Sequence, residues 1–197
     1  TMDSCFEAAM KIVNSNLLAA LVTIVPEAGQ ATLQVGFEGL ELVVDSQLER
    51  CTEVMGGSGL NVVGAEPYPL VEGFLAPPFG SIWEAPFVLQ ADVVIKHGAE
   101  FAAQLSQAAA PTGMVLDVAG GRIYAGFDAL TGGQWSAIDG LTIKYKGHCK
   151  LLKAPDEFAK EHDLFGASRP DWRLSHLIKN ALDPDNVFAP GALPGRV

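Results

Sequence analysis

The stretch that decides the fold runs from Phe87 to Lys153: FVLQADVVI (87–95), KHG (96–98), AEFAAQLSQAA (99–109), APTG (110–113), MVLDV (114–118), AGG (119–121), RIYAGF (122–127), DALTGGQWSAIDGLTIKYKGH (128–148) and CKLLK (149–153). Apolar strand-like runs alternate here with segments of helical spacing, and turn residues punctuate them. Phe87 to Ile95 reads as a strand and Ala99 to Ala109 as a helix closed by Pro111-Thr112-Gly113. Met114 to Val118 and Arg122 to Phe127 flank Gly120-Gly121, a hairpin turn signal. Trp135, Ile138, Thr142 and Tyr145 keep helical spacing, although Leu141-Thr142-Ile143 also suits a strand, and Cys149 to Leu152 reads as the closing strand. The order is β-α-β-β-α-β, a split βαβ.

Working toward the N-terminus, Phe6, Ala9, Met10 and Val13 share a helical face, and Asn14-Ser15-Asn16 ends it. Leu17 to Val25 and Ala31 to Phe37 form a hairpin around Pro26 to Gln30. Leu40, Val44, Leu48, Cys51 and Met55 then make the apolar stripe of a helix that stops at Gly56-Gly57, and Leu60 to Val63 adds a short strand. This is the same order without its opening strand. The expectation is an α+β domain over 1–154: a mostly antiparallel sheet of about seven strands, built from two ferredoxin-like halves (1–65 and 86–154), with helices on one face. Val44, Leu48, Cys51, Leu33, Val35, Val93, Val115 and Leu151 should fill its core. A Pro- and Gly-rich stretch, Glu66 to Pro86, separates the halves.

The last part, 155–197, is a helical tail. A short helix opens at Pro155-Asp156-Glu157, and a longer one begins at Asp171-Trp172, with Leu174, Leu177, Ile178 and Ala181 on one face. It ends at Asp183-Pro184 because proline restricts the residue before it and cannot continue a helix.

Composition excludes several functions. A formal net charge of −10 leaves no basic face for nucleic-acid phosphates. The apolar run Leu17 to Val25 is far shorter than the roughly 20 residues of a membrane span. Three cysteines (Cys5, Cys51, Cys149) at wide spacing suggest neither a disulfide framework nor a zinc site, and point to a reducing, cytoplasmic compartment. His97, His148, His162 and His176 form no HxH or HExxH pair, so no metal site is expected. His148 stands apart beside Gly147 at the head of an apolar strand, as either a structural or a catalytic histidine. Gly56-Gly57-Ser58-Gly59 follows a helix instead of opening one, which suits a helix stop better than a phosphate cradle. No GxSxG elbow supports a hydrolase.

Leu177-Ile178-Lys179-Asn180-Ala181-Leu182-Asp183-Pro184-Asp185-Asn186-Val187-Phe188-Ala189-Pro190-Gly191 resembles the closing motif of FAD-linked oxidases of the vanillyl-alcohol oxidase and p-cresol methylhydroxylase superfamily, and Gly147 to Pro155 is similar to the strand before it in glycolate oxidase FAD-binding subunits. Two departures are Ala189, where the family has Asn before Pro-Gly, and Ala192, where a basic residue often follows. The resemblance implies the substrate-side part of an FAD-dependent enzyme that oxidises a 2-hydroxy acid such as glycolate. It also implies an N-terminal FAD-binding domain outside this sequence, with this chain alone neither active nor binding FAD tightly, and association with further oxidase subunits. His148 would be catalytic, and Asn186, Pro190 and Gly191 would form a turn facing the flavin domain, with Val187 and Phe188 in the docking surface. The alternative has His148 buried in the sheet and Phe188 capping the local core. At the level of function, the rival is a free-standing ferredoxin-like module that binds a ligand or partner without redox chemistry.

Overall fold

A computed structural model of the chain describes residues 1–27, 29–61, 64, 79–170, 172–191 and 193–195. Among them are one antiparallel sheet of six strands and seven α-helices. The strands are β1 (Ala19–Glu27), β2 (Gln30–Phe37), β3 (Phe87–Asp92), β4 (Gly113–Asp117), β5 (Arg122–Phe127) and β6 (His148–Lys153), in the order β2-β1-β4-β5-β3-β6. The helices are α1 (Met2–Val13), α2 (Glu41–Met55), α3 (Phe79–Glu84), α4 (Gly98–Ala108), α5 (Gly132–Lys144), α6 (Asp156–Glu161) and α7 (Trp172–Leu182).

From β3 to β6 the chain runs strand, helix, strand, strand, helix, strand, and every neighbouring pair is antiparallel. The first part adds the β1–β2 hairpin, joined to this unit through Thr23 and Ile24 of β1 against Asp117 and Leu116 of β4. The expected seventh strand is not found: Leu60 and Asn61 are outside any strand, while Val62 and Val63 lie outside the described residues. Pro26 sits in β1 beyond the two residues paired with β4, where its missing N–H costs the sheet no ladder bond.

Alternation sends Leu89, Ala91, Leu116, Ile123, Ala125, Ile24 and Leu151 to one face, where they meet Phe101 and Leu105 of α4, Ile138 of α5 and Ala9 and Ile12 of α1 in a single core. Helix α5 settles the ambiguity at 141–143. Thr131 Oγ1 accepts from Gln134 N at 3.2 Å and the Gln134 side chain accepts from Thr131 N at 2.9 Å, a capping box that nucleates the helix.

Four of the eight expected core residues are buried: Cys51, Val93, Val115 and Leu151. Leu33 and Val35 are only half-buried because β2 is an edge strand, and Val44 and Leu48 are half-buried on α2, which packs beside that edge. Val115 belongs to the opposite face, where Ile82 of α3 covers it together with Val88.

Phe101 is fully buried and meets Tyr145 edge-on at 5.9 Å between ring centres. Phe101→Ala should therefore destabilise the domain by about 3–5 kcal/mol, read from the shift of a denaturant unfolding curve.

Candidate functional site

The face of the sheet opposite the main core has two ends. At one end α3 covers Val88 and Val115, and Trp83 lies 6.5 Å from the Tyr124 ring. At the other, cross-strand register places Gln34, Thr23, Asp117, Arg122, Asp92 and His148 side by side, one from each strand. With strands about 4.8 Å apart, this polar row crosses about 24 Å of sheet.

Asp92 is its centre. Arg122 Nε donates to Asp92 Oδ1 at 3.1 Å, His148 Nε2 lies 3.2 Å from Oδ2, and Gln90 Nε2 donates to Oδ2 at 2.9 Å. The Asp92 side chain is 23% exposed, against 50% for Arg122 and 58% for His148, so the carboxylate is sheltered while both partners reach solvent. The bond to Asp92, with the Tyr124 phenol beside it, raises the Arg122 pKa above its ordinary value and keeps the guanidinium charged. The His148–Asp92 contact is a close approach of ring and carboxylate, not a hydrogen bond. Gly147 admits β6 to this position, since a Cβ there would lie 2.2 Å from Asp92 O.

His148 is therefore exposed, not buried in the sheet. The other three histidines serve packing and connection. His97 stacks at a tilt on Tyr145, His162 on Phe158, and His176 Nε2 meets Pro194 O at 2.8 Å. Among the described residues no three His, Cys, Asp or Glu side chains are placed to hold a metal ion, and no helix is long and apolar enough to cross a membrane.

All three cysteines are buried and unpaired. Burial, followed by the neighbouring Asp139 among the raising influences, pushes the Cys149 thiol up to about 12, even though Thr142 donates a bond to it. Cys149 is thus an inert thiol at neutral pH.

The tail turn is organised by Asp183. Its carboxylate accepts from Val187 N at 2.8 Å and Phe188 N at 2.9 Å, and it pairs with Lys179, one helical turn back, which also donates to Phe188 O. Both charges are buried and both are answered, the condition under which a buried ion pair is tolerated. The turn holds Asn186 and Ala189 at φ of 50° and 45°, a left-handed region that Asn tolerates and Ala resists.

Asn186, Pro190 and Gly191 are exposed, as are Val187 and Phe188 at 69% and 72%, so Phe188 does not cap the local core. Leu174, Leu177, Ile178 and Leu182 are also exposed along α7, leaving an apolar stripe on the surface. Ala192 lies outside the described residues. No hydrogen bond or ion pair links His148 to the tail turn among the described residues.

The sequence singled out His148 but not Asp92, Arg122 and Gln90, which the fold places beside it. The available signal was alternation: Gln90 and Asp92 on one strand, Arg122 and Tyr124 on another, all out of phase with the buried Leu89, Ala91, Ile123 and Ala125.

The chain matches no protein-family model and no curated protein.

Two outcomes follow from these geometries. The Lys179 bond, outweighing burial, holds the Asp183 pKa below its ordinary value, so its contribution to the turn is complete above the usual aspartate range near ~3.9 and is lost as pH falls through the lowered folded pKa. In NMR spectra the Val187 and Phe188 amide shifts should hold constant from neutral pH down to that range and move only below it; movement at pH 5–6 would contradict the assignment. Cys149 should resist iodoacetamide in the native protein at neutral pH and react only after unfolding, as mass spectrometry of the labelled peptide would read.

Proposed function

We propose that this chain is the substrate-side part of an FAD-dependent oxidoreductase that oxidises a 2-hydroxy acid such as glycolate, working with a flavin-binding domain outside the sequence. The observation that carries the reading is the Arg122–Asp92–His148 row on an open sheet face. A 2-hydroxy acid presents one carboxylate and one hydroxyl on adjacent carbons. Arg122 supplies a permanent, half-exposed cation for the carboxylate. His148, beside Asp92 and exposed, supplies a base for the hydroxyl proton.

Bound FAD would supply the hydride acceptor for C2 of the substrate. Its phosphates would be held by the flavin-binding domain. This chain's part is to bind the carboxylate, take the hydroxyl proton and cover the reacting edge. The turn Asn186 to Gly191 and the apolar stripe of α7 would dock against the flavin domain, because an exposed apolar stripe of this kind marks an interface. The β3–β6 unit, with its sheet order, is one ferredoxin-like half, and the β1–β2 hairpin with α1 and α2 is the reduced second half. The compartment is cytoplasmic.

The same apolar stripe favours a second reading, a partner-binding module without redox chemistry. Kinetics of the natural protein that carries this chain separate the two. With glycolate as substrate, Arg122→Met should raise KM by roughly tenfold or more while changing kcat little, because it removes a charge-assisted bond to the carboxylate. His148→Gln should lower kcat by about 10²–10⁴-fold. If both variants turn over at the parental rate, the row is not the site. If no 2-hydroxy acid reduces a bound flavin, the module reading stands.

A further inference from the structure

We propose that Gln90 is a positioning residue of the sheet-face site: through Asp92 it sets where the Arg122 guanidinium points, and so how tightly a 2-hydroxy acid is held by its carboxylate. The role rests on the redox reading of that site and falls to a side chain that acts only through its neighbours. Register puts Gln90 on β3, two residues before Asp92 and on the same face, between Tyr124 of β5 and Lys150 of β6. It is half-buried, at the boundary where the cover of α3 over Val88 gives way to the open row.

The two oxygens of the Asp92 carboxylate are engaged separately. Oδ1 accepts from Arg122 Nε at 3.1 Å, and Oδ2 accepts from Gln90 Nε2 at 2.9 Å. His148 Nε2 only approaches Oδ2, so the hydrogen bond that holds this oxygen comes from Gln90. A carboxylate turns about its Cβ–Cγ bond with little resistance, because that torsion is broad. With both oxygens bonded, turning requires two bonds to break together. Without Gln90 the bond to Arg122 alone remains, and Asp92 and Arg122 can swing as a pair. Gln90 also reaches Asp92 from the same strand, between the buried Leu89 and Ala91, so its own place is fixed by the core.

Arg122 binds Asp92 through Nε, so the two Nη groups of its fork are not used on this carboxylate. Bidentate recognition of a substrate carboxylate needs that pair aimed at one place. Half of the Arg122 side chain is exposed, so packing does little to limit its rotamers, and Asp92 is the fixed point from which the fork extends. A binding group held loosely by its supporting residues loses much of its effect. Gln90 therefore acts on the grip of the substrate carboxylate. It makes no hydrogen bond to His148 among the described residues, so proton transfer there does not pass through it.

Kinetics with glycolate, on the natural protein that carries this chain, test this. Gln90→Met keeps the length of the side chain and removes the donor; it should raise KM by about three- to tenfold, with kcat within about twofold and the unfolding midpoint unmoved. Gln90→Glu, which sets a second carboxylate beside Asp92, should raise KM at least as far. In an Arg122→Met background Gln90→Met should add nothing, because residues that act through one contact are not additive. A readout without substrate is the Arg122 Nε–H signal in proton–nitrogen NMR spectra, identified by its loss in Arg122→Met. It should exchange with water faster in Gln90→Met than in the parent. An unchanged KM in Gln90→Met, where Arg122→Met raises it, overturns the role of Gln90 and leaves the site standing. Additive losses in the double variant, an unaltered exchange rate, or a fall in kcat and unfolding midpoint together also overturn it. If no 2-hydroxy acid reduces a bound flavin, the redox reading falls and the role of Gln90 with it.

Discussion

The register of β3 is the constraint on which the sheet depends. This strand is hydrogen-bonded on both sides, to β5 and β6, and pairs Ala91 with Ile123 and Cys149 while pairing Asp92 with Arg122 and His148. A slip of one residue would turn Leu89 and Ala91 out of the core and drive Gln90 and Asp92 into it. The core therefore fixes the polar row: burial of one face leaves the other no freedom in which residues stand abreast. The bulge between Val88 and Leu89 falls beyond this segment, toward the end covered by α3, so the row itself is in register.

A different kind of order holds the tail. Residues just after α6 are fastened to the domain by Leu151 N to Leu164 O at 2.7 Å, Trp135 Nε1 to Asp163 O at 2.9 Å and Ala167 N to the Asp139 carboxylate. Helix α7 is held mainly by polar contacts of its own: Lys179 with Asp183 inside the closing turn, and His176 with the end of the chain. Apart from the buried Trp172, its larger apolar side chains remain outside. A helix whose polar residues are satisfied internally and whose apolar residues are not has its hydrophobic stabilisation still to gain, through contact with another surface.

Much of this was legible. The strands of 87–153, the hairpin turn at Gly120-Gly121 and the stop at Asp183-Pro184 follow from alternation and from residues with restricted backbones, and both act over a few positions. Gly121, at φ 66°, is such a residue in the hairpin turn. The capping box of Thr131 and Gln134, which decides between helix and strand at 141–143, was not part of that reading. What was not legible depends on distant pairings. Leu33 and Val35 alternate correctly, yet only the strand order shows that β2 lies at an edge and buries them by half. Helix α3 has six residues, too few for a periodic signal, and is defined by Ile82 packing on Val88 and Val115 from other strands. The row needed the register of three strands, with Asp92 and His148 separated by 56 positions, so no local pattern announced it.

The two faces of the sheet divide the work by what each can satisfy. The helix-covered face excludes water, and there a polar group survives only when fully bonded, as Thr142 is to the carbonyls of Ile138 and Asp139. The opposite face is covered at one end by α3 and reaches solvent at the other, so charged groups are retained there at little desolvation cost and keep donors for a ligand. Asp92 lies between these conditions. It is sheltered enough to be held by Arg122 and Gln90, while Arg122 and His148 beside it reach solvent. That gradient from α3 to the row leaves this face, rather than the better packed one, with charged groups that solvent can reach.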